Sequence, residues 1–158
     1  MVLIFDWKGE SVANVGTAGQ VLTSFGAGAL PQWQNATALS FDITINQVGH
    51  GLAVGDIIRI ASTGNYVMAQ ADSSANATSV IGIVVNVIDA NNFSYQFGGI
   101  VTVLIGLTAG DPYFLHPNVA GSYTSNVPST AGQVVLPLFY ALSATQALWQ
   151  PKSAIELM

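Results

Sequence analysis

Apolar and polar residues alternate with a period of two in several short segments of this chain. Residues 39–46 read Leu-Ser-Phe-Asp-Ile-Thr-Ile-Asn, and residues 93–97 read Phe-Ser-Tyr-Gln-Phe. Successive side chains of a β-strand point to opposite faces, so this alternation is typical of strands with one buried face. No stretch shows the apolar stripe that a surface helix requires. The sequence therefore predicts an all-β fold.

Short segments rich in β-branched and aromatic residues predict the remaining strands. They span residues 56–61, 65–70, 80–88, 101–103, 112–115, 133–143 and 147–150. Turns are predicted at residues 62–65, 89–92 and 118–121, and Gly98-Gly99 predicts a hairpin because glycine readily adopts positive φ. Short strands joined by tight turns favour an antiparallel sandwich, a jelly roll or a small barrel.

Residues 80–88 form a predicted strand that is apolar on both faces. Either a second sheet or a neighbouring subunit must therefore cover it on each side. Charged residues make up only 7% of the chain, against about 25% in an ordinary soluble domain. Because so little charge is typical of a surface that packs against other proteins, we predict a homo-oligomer, with a homotrimer as the first choice.

The N-terminal part of the chain differs in composition from the rest. Glycines and a proline interrupt its short apolar stretches between residues 9 and 37. This composition predicts an extended N-terminal arm or linker over residues 1–37, followed by a β domain over residues 38–158.

The start of the arm is an apolar strip formed by Val2, Leu3, Ile4 and Phe5, followed by Trp7. Its β-propensity suits the addition of a strand to the exposed sheet edge of a partner protein. We therefore predict that these residues contact a neighbouring protein. The alternative is that they form the first strand of the chain's own sheet.

The charge balance argues against nucleic acid as a direct partner. The net charge is −5, and Lys8, Arg59 and Lys152 are the only cations, whereas phosphate binding needs clusters of Lys and Arg. A membrane-spanning helix needs about 20 consecutive apolar residues, and the best run, residues 100–107, is far shorter. The first residues do not resemble a secretory signal, because Asp6 directly follows four apolar residues.

No catalytic, metal-binding or cofactor-binding site is predicted. His50 and His116 are distant in the sequence and the chain has no cysteine, so no short zinc-ligand spacing exists. No Gly-x-Ser-x-Gly nucleophile motif and no Asp-x-Asp-x-Asp-Gly calcium loop occurs. We expect a non-enzymatic protein whose histidines serve their own loops and whose Asp72, Asp89 and Asp111 organise turns.

The three tryptophans, Trp7, Trp33 and Trp149, are candidates for a sugar-stacking pocket or for anchors at a protein interface. Tryptophan is enriched at interfaces, and two of the three lie toward the chain ends rather than within predicted core strands. We favour the interface role, and Trp33 joins the N-terminal strip as a predicted contact residue.

The sequence Thr-Ala-Gly-Gln-Val occurs twice, at residues 17–21 and 130–134. The distance between the copies does not define the period of a repeat protein. We interpret the two copies as one turn, used twice, that leads into a strand.

The chain resembles structural proteins of tailed bacteriophages in two regions. Residues 16–33 contain Gly-Gln-Val-Leu-Thr-Ser, a Gly-Ala-Gly turn and a Pro-x-Trp ending, and are similar to a linker motif of tail-fibre and head-decoration proteins. Residues 49–150 resemble a β-rich module that is common in phage virion proteins. The resemblance rests on Gly-His-Gly-Leu-Ala-Val-Gly-Asp, Ala-Gln-Ala-Asp-Ser, Ile-Gly-Ile-Val, Gly-Leu-Thr-Ala-Gly and Ala-Leu-Ser-Ala-Thr, in that order.

The resemblance implies an oligomeric, trimeric or similar, β structure without a catalytic centre, which is assembled in the host bacterial cytoplasm and resides in the virion. One implied role is a capsid decoration protein, also called a cement or head-fibre protein, that binds the major capsid protein and stabilises the head lattice. The other is a tail-fibre or receptor-binding module that recognises a host surface glycan. We favour the decoration protein, because a fibre needs a long shaft that this chain lacks.

Overall fold

In a computed structural model of the protein, the described residues are 17–18, 20–24, 27–28, 30–35 and 42–158. The chain divides into two compact units, residues 1–40 and residues 41–158, which are described separately below. The division between residues 37 and 38 and the attachment role of the arm stay predictions, because much of this region lies outside the described residues.

The first unit contains a two-stranded antiparallel sheet. Its strands are β1 (Gln20–Thr23) and β2 (Gln32–Asn35). Val21 lies opposite Gln34, and Leu22 lies opposite Trp33. The sequence analysis predicted neither strand, because glycines leave only brief apolar stretches in which no alternation can be recognised.

The second unit is almost entirely β-structure, as the sequence predicted. Its strands are β3 (Asp42–Asn46), β4 (Ile57–Ile60), β5 (Tyr66–Met68), β6 (Val80–Asp89), β7 (Asn92–Gln96), β8 (Gly99–Val101), β9 (Pro112–Leu115), β10 (Tyr123–Thr124), β11 (Val134–Val135), β12 (Pro137–Ala141), β13 (Ala147–Trp149) and β14 (Ile155–Glu156). A single helical turn, α1 (Ser74–Ala77), precedes β6. The predicted strand over residues 133–143 is divided into β11 and β12, and β10 and β14 were not predicted.

These strands form two five-stranded antiparallel sheets and one short ribbon. The first sheet has the strand order β3-β7-β6-β4-β5, the second sheet has the order β10-β9-β12-β13-β8, and β11 pairs with β14. Neither five-stranded sheet closes on itself within the described residues, so the barrel alternative does not apply. The antiparallel, all-β class is confirmed, and its arrangement is that of a sandwich.

The main core lies between the two large sheets. Ile57 and Ile83 of the first sheet pack in one buried cluster with Leu115, Leu138 and Trp149 of the second sheet. Side chains of the intervening loops complete this cluster. Two sheets that share one apolar layer in this way define a sandwich core.

The other face of the first sheet carries a second, smaller core. Ile58, Val84, Phe93 and Tyr95 are buried there, and Leu52 from the preceding loop covers them. The first half of the doubly apolar strand β6 therefore has both faces covered by its own chain, with Ile83 in the main core and Val84 in the smaller one. Ile88 near the end of the strand is 53% exposed. The apolar pattern of the first half does not require a neighbouring subunit.

The predicted hairpin at Gly98-Gly99 is wrong. β7 already pairs with β3 on one side and β6 on the other, so β8 cannot add to it and lies in the second sheet instead. The two glycines lead the chain from one sheet to the other, and Gly99 has a φ of +79°. The Gln96 side-chain amide fixes this crossover by donating to the carbonyl oxygens of Gly98 at 2.6 Å and Ile100 at 3.0 Å.

Candidate interaction surface

The outward face of the second sheet carries a row of apolar side chains that crosses four strands. Ile100 lies opposite Leu148, Leu148 opposite Tyr140, and Tyr140 opposite Pro112. Residues directly opposite each other in an antiparallel pair point to the same face. We call these four residues the outward row, and Ile100, Tyr140 and Leu148 in it are 56%, 46% and 39% exposed.

This face lacks charge. None of the five described strands of the second sheet contains an Asp, Glu, Lys or Arg residue. Exposed sheet faces and edge strands usually carry polar or charged side chains, which discourage contact with other proteins. An exposed, uncharged row on a rigid sheet is therefore a candidate protein interface.

A groove of about 340 Å³ lies elsewhere in this unit and has both polar and apolar walls, with Asp56 and Ser122 on the polar side. Exposed Val54, Ile105 and Val119 line it, together with buried Gly121. The Tyr123 hydroxyl holds one wall by donating to the carbonyl oxygen of Ile105 at 2.9 Å. The groove is open to solvent and could accept an apolar side chain of a partner.

The sequence-predicted contact residues are only partly within the described structure. Val2, Leu3, Ile4, Phe5 and Trp7 lie outside the described residues. The prediction that these residues contact a partner therefore stays a prediction.

Trp33 and Trp149 occupy different environments. Trp33 is half-buried in β2, within the first unit. Trp149 is 3% exposed and stacks on Phe139 with a ring-centroid distance of 6.2 Å. The predicted interface role is wrong for Trp149, because the pairing of β13 between β12 and β8 turns its side chain into the main core.

Both histidines hydrogen bond to the backbone, as the sequence predicted. Nδ1 of His50 accepts the backbone N–H of Leu52 at 2.9 Å, and its Nε2 lies 2.9 Å from the carbonyl oxygen of Asp89. Nδ1 of His116 accepts the backbone N–H groups of Asn118 and Val119 at 3.0 and 3.1 Å. An Nδ1 that accepts carries no proton, so Nε2 of each ring is the donor.

Asp89 organises the turn between β6 and β7. Its carboxylate accepts the backbone N–H of Asn91 at 2.7 Å and the side-chain amide of Asn92 at 2.9 Å. These hydrogen bonds, first that from Asn91 and then that from Asn92, lower the pKa of Asp89 below its ordinary value. The predicted turn-making role is confirmed for this residue.

Metal-ligating clusters and membrane-spanning helices were each sought in the part of the chain that the structure describes. No group of three or more His, Asp or Glu side chains suited to a metal ion occurs among these residues. No helix among them has the length and apolar character needed to cross a bilayer.

Comparison with known proteins does not identify a family for this chain. The chain matches no family model, no curated protein and no solved structure.

The sequence analysis did not identify the outward row. It predicted strands over residues 112–115 and 147–150, but alternation alone cannot say which of two apolar faces is buried. In β13, Leu148 and Trp149 are both apolar, and only the pairing of this strand places Trp149 inside and Leu148 outside.

Proposed function

We propose that this protein is a structural protein of a tailed-bacteriophage virion that acts as a capsid decoration protein. It binds the major capsid protein, stabilises the head lattice and has no enzymatic activity. The observation that supports this proposal best is the outward row on the uncharged second sheet, which offers a rigid apolar surface to another protein. The resemblance of residues 16–33 and 49–150 to phage virion proteins supplies the context.

The proposed mechanism is the burial of apolar surface at many repeated contacts. Each Å² of apolar surface removed from water contributes about 25 cal/mol. Each association also loses translational and rotational freedom, so a single small contact is weak. A lattice that presents the same contact many times gains from multivalency, because neighbouring contacts hold the protein in place.

We also propose that the protein forms a homotrimer, assembled in the host cytoplasm. The low charge of the chain supports this proposal, whereas the doubly apolar first half of β6 no longer does, because its own chain covers it. The outward row is a surface that identical copies could share.

The first experiment is to measure the copy number of the protein in purified virions by quantitative gel densitometry. A decoration protein occurs in hundreds of copies, because it follows the capsid lattice. A few tens of copies or fewer would overturn the decoration role and favour a tail-fibre module instead.

The second experiment tests the outward row directly. Leu148→Lys places a charge in the middle of the row, and we expect loss of binding to capsids that lack the protein, measured by co-sedimentation. Thr145→Lys adds the same charge in the neighbouring exposed turn and should bind normally. Equal binding by both variants would show that the row is not the interface.

A further inference from the structure

A small polar pocket lies beside the loop that follows β9. It is open to solvent and has a volume of about 230 Å³, less than the roughly 300–1,000 Å³ of sites for drug-sized ligands. It therefore has room for a single ring. Most of its lining consists of residues whose side chains can donate or accept hydrogen bonds, among them His116, Asn118, Asn126, Ser129, Thr130 and Gln133.

Hydrogen bonds to the backbone fix the walls of this pocket. His116 accepts two backbone N–H groups through Nδ1, which leaves its Nε2–H free to donate. Gln133 accepts the backbone N–H of Thr130 through Oε1 at 3.2 Å, which leaves its NH₂ group available. The Thr124 hydroxyl accepts the backbone N–H of Asn126 at 3.0 Å. The loop backbone and the side chains of His116 and Gln133 are thus held in place, which lowers the entropic cost of binding through these two residues.

Several polar groups in the pocket have no partner within the described part of the chain. The side-chain amides of Asn118 and Asn126 and the hydroxyl of Ser129 form no hydrogen bond to another described residue. An amide provides two donors and an acceptor, and a hydroxyl provides both functions. The exposed side chains of Asn118, Asn126 and Ser129 therefore supply both donors and acceptors at a space the size of one ring.

The charge of the lining restricts the ligand. No Asp, Glu, Lys or Arg lines the pocket, so neither a phosphate nor a metal cation would find the charged partners that it usually requires. Exposed Val127 and buried Pro128 add a small apolar patch to the rim. A saccharide ring matches this combination, because its hydroxyls donate and accept hydrogen bonds while its C–H face is apolar.

We propose that this pocket binds one unit of a neutral saccharide. The amides of Asn118, Asn126 and Gln133 and the Nε2–H of His116 bind ring hydroxyls, and Val127 contacts the C–H face. No tryptophan lines the pocket, so this site differs from the tryptophan-based sugar pocket that the sequence analysis considered. The proposal goes beyond the decoration role and does not depend on it.

The test is saturation-transfer difference NMR on the full chain with methyl glycosides of glucose, galactose, mannose and N-acetylglucosamine. We expect saturation transfer to at least one glycoside, with millimolar affinity. Glucose 6-phosphate serves as a charged comparison and should bind more weakly. In Asn118→Ala/Asn126→Ala, the affinity should fall at least about tenfold, because two hydrogen-bonding side chains are removed. Ser125→Ala, an exposed residue of the same loop outside the lining, should bind as the unchanged protein does.

Two results would overturn the proposal. One is no saturation transfer to any glycoside at about 20 mM, where a millimolar site is mostly occupied. The other is binding that Asn118→Ala/Asn126→Ala leaves unchanged. If that double variant melts early, Gln133→Glu replaces it, because the glutamate keeps the acceptor for Thr130 but removes the amide donor and adds a charge.

Discussion

The two copies of Thr-Ala-Gly-Gln-Val fold into the same turn in two separate units of the chain. In the first copy, the Gln20 backbone N–H donates to the Thr17 carbonyl at 3.1 Å, and the Thr17 N–H donates to the Gln20 side-chain oxygen at 2.9 Å. In the second copy, Gln133 and Thr130 form the same two hydrogen bonds at 3.0 and 3.2 Å. The interpretation of the repeat as a turn that leads into a strand is confirmed.

The strands that follow the two turns also pair alike. Val21 lies opposite Gln34 in β2, and Val134 lies opposite Glu156 in β14. The partner strand is close in sequence in the first case and comes from the end of the chain in the second. The same short sequence therefore builds the same local ribbon whatever the origin of its partner.

Burial is where the two copies differ. Val21 is 50% exposed, whereas Val134 is 1% exposed and belongs to the main core. The same pair of Thr–Gln hydrogen bonds thus precedes two valines in different environments. The comparison shows that local hydrogen bonding follows from the sequence, whereas burial follows from the sheets around the turn.

The largest expected effect comes from introducing a charge at Val134, the valine of the second copy, and the same change at Val21 in the first copy is the control. Val134→Asp should lower the free energy of unfolding of the second unit by about 4 kcal/mol, because a carboxylate would enter the core without a partner. Val21→Asp should change that value by less than about 0.5 kcal/mol. Urea denaturation followed by Trp149 fluorescence, with Trp7 and Trp33 replaced by Phe, measures both. Equal losses would contradict the difference in burial.

The glycine of the second copy should have the next largest effect. Gly132 has a φ of +83°, and an L-residue in this region costs roughly 1–2 kcal/mol. We expect Gly132→Ala to destabilise the second unit by that amount in the same urea experiment. Gly132→Asn should cost less, because asparagine tolerates positive φ better than alanine. Equal stability of the alanine variant and the unchanged protein would show that the turn relaxes without strain.

Removing the glutamine side chain from each copy should have a smaller effect. Gln133→Ala removes the acceptor for the Thr130 N–H and should cost about 1 kcal/mol. Hydrogen exchange of the Thr130 amide should accelerate, and Gln133→Glu should restore its protection. Gln20→Ala removes the matching bond in the first unit and serves as control. It should leave exchange at Thr130 unchanged, and any acceleration there would show that the units do not behave independently.

The smallest expected effect concerns the turn between β6 and β7. The Asp89 carboxylate holds this turn, whereas a glutamine side chain holds each of the two repeated turns. The pKa of Asp89 is lowered in the folded protein from its ordinary value of 3.8. The Asp89 carboxylate therefore contributes its full stabilisation at pH values above 3.8. This stabilisation is lost as the pH falls through the lowered pKa. Asp89→Asn should be less stable than the unchanged protein at neutral pH, and the difference should shrink as the pH falls below 3.8. A difference independent of pH would contradict this role, and Gln133→Ala, which alters no titrating group, provides the comparison.

Much of the sandwich could be predicted from sequence, because alternation and turn residues act locally. The span of β9 was predicted as observed, and β4, β6, β7 and β13 were predicted to within a residue or two at each end. The error at Gly98-Gly99 has a non-local cause. A glycine pair permits a reversal but does not require one, and the partners of β7 were already β3 and β6.

The candidate surfaces were harder to predict. The outward row depends on the register of four strands, and β8 and β9 reach the β12–β13 hairpin from distant parts of the chain. The saccharide pocket joins His116 to Gln133 across two loops, and neither residue marks a site in the sequence by its spacing. No pattern within one segment could have identified either surface.

The sequence by itself determined the β class, the turns at residues 62–65, 89–92 and 118–121, the hydrogen bonds that His50 and His116 accept from backbone N–H groups two or three residues further on, and the repeated Thr-Ala-Gly-Gln-Val turn. Apart from the β class, each depends on interactions between residues close together along the chain, which the order of residue types sets directly. Tertiary structure alone decided that the first half of β6 is covered by its own chain, that Trp149 faces inward, and that Leu148 faces outward. Those outcomes depend on which strands pair and which faces meet, and they arise because burying the largest apolar area selects one packing among several that the alternation permits.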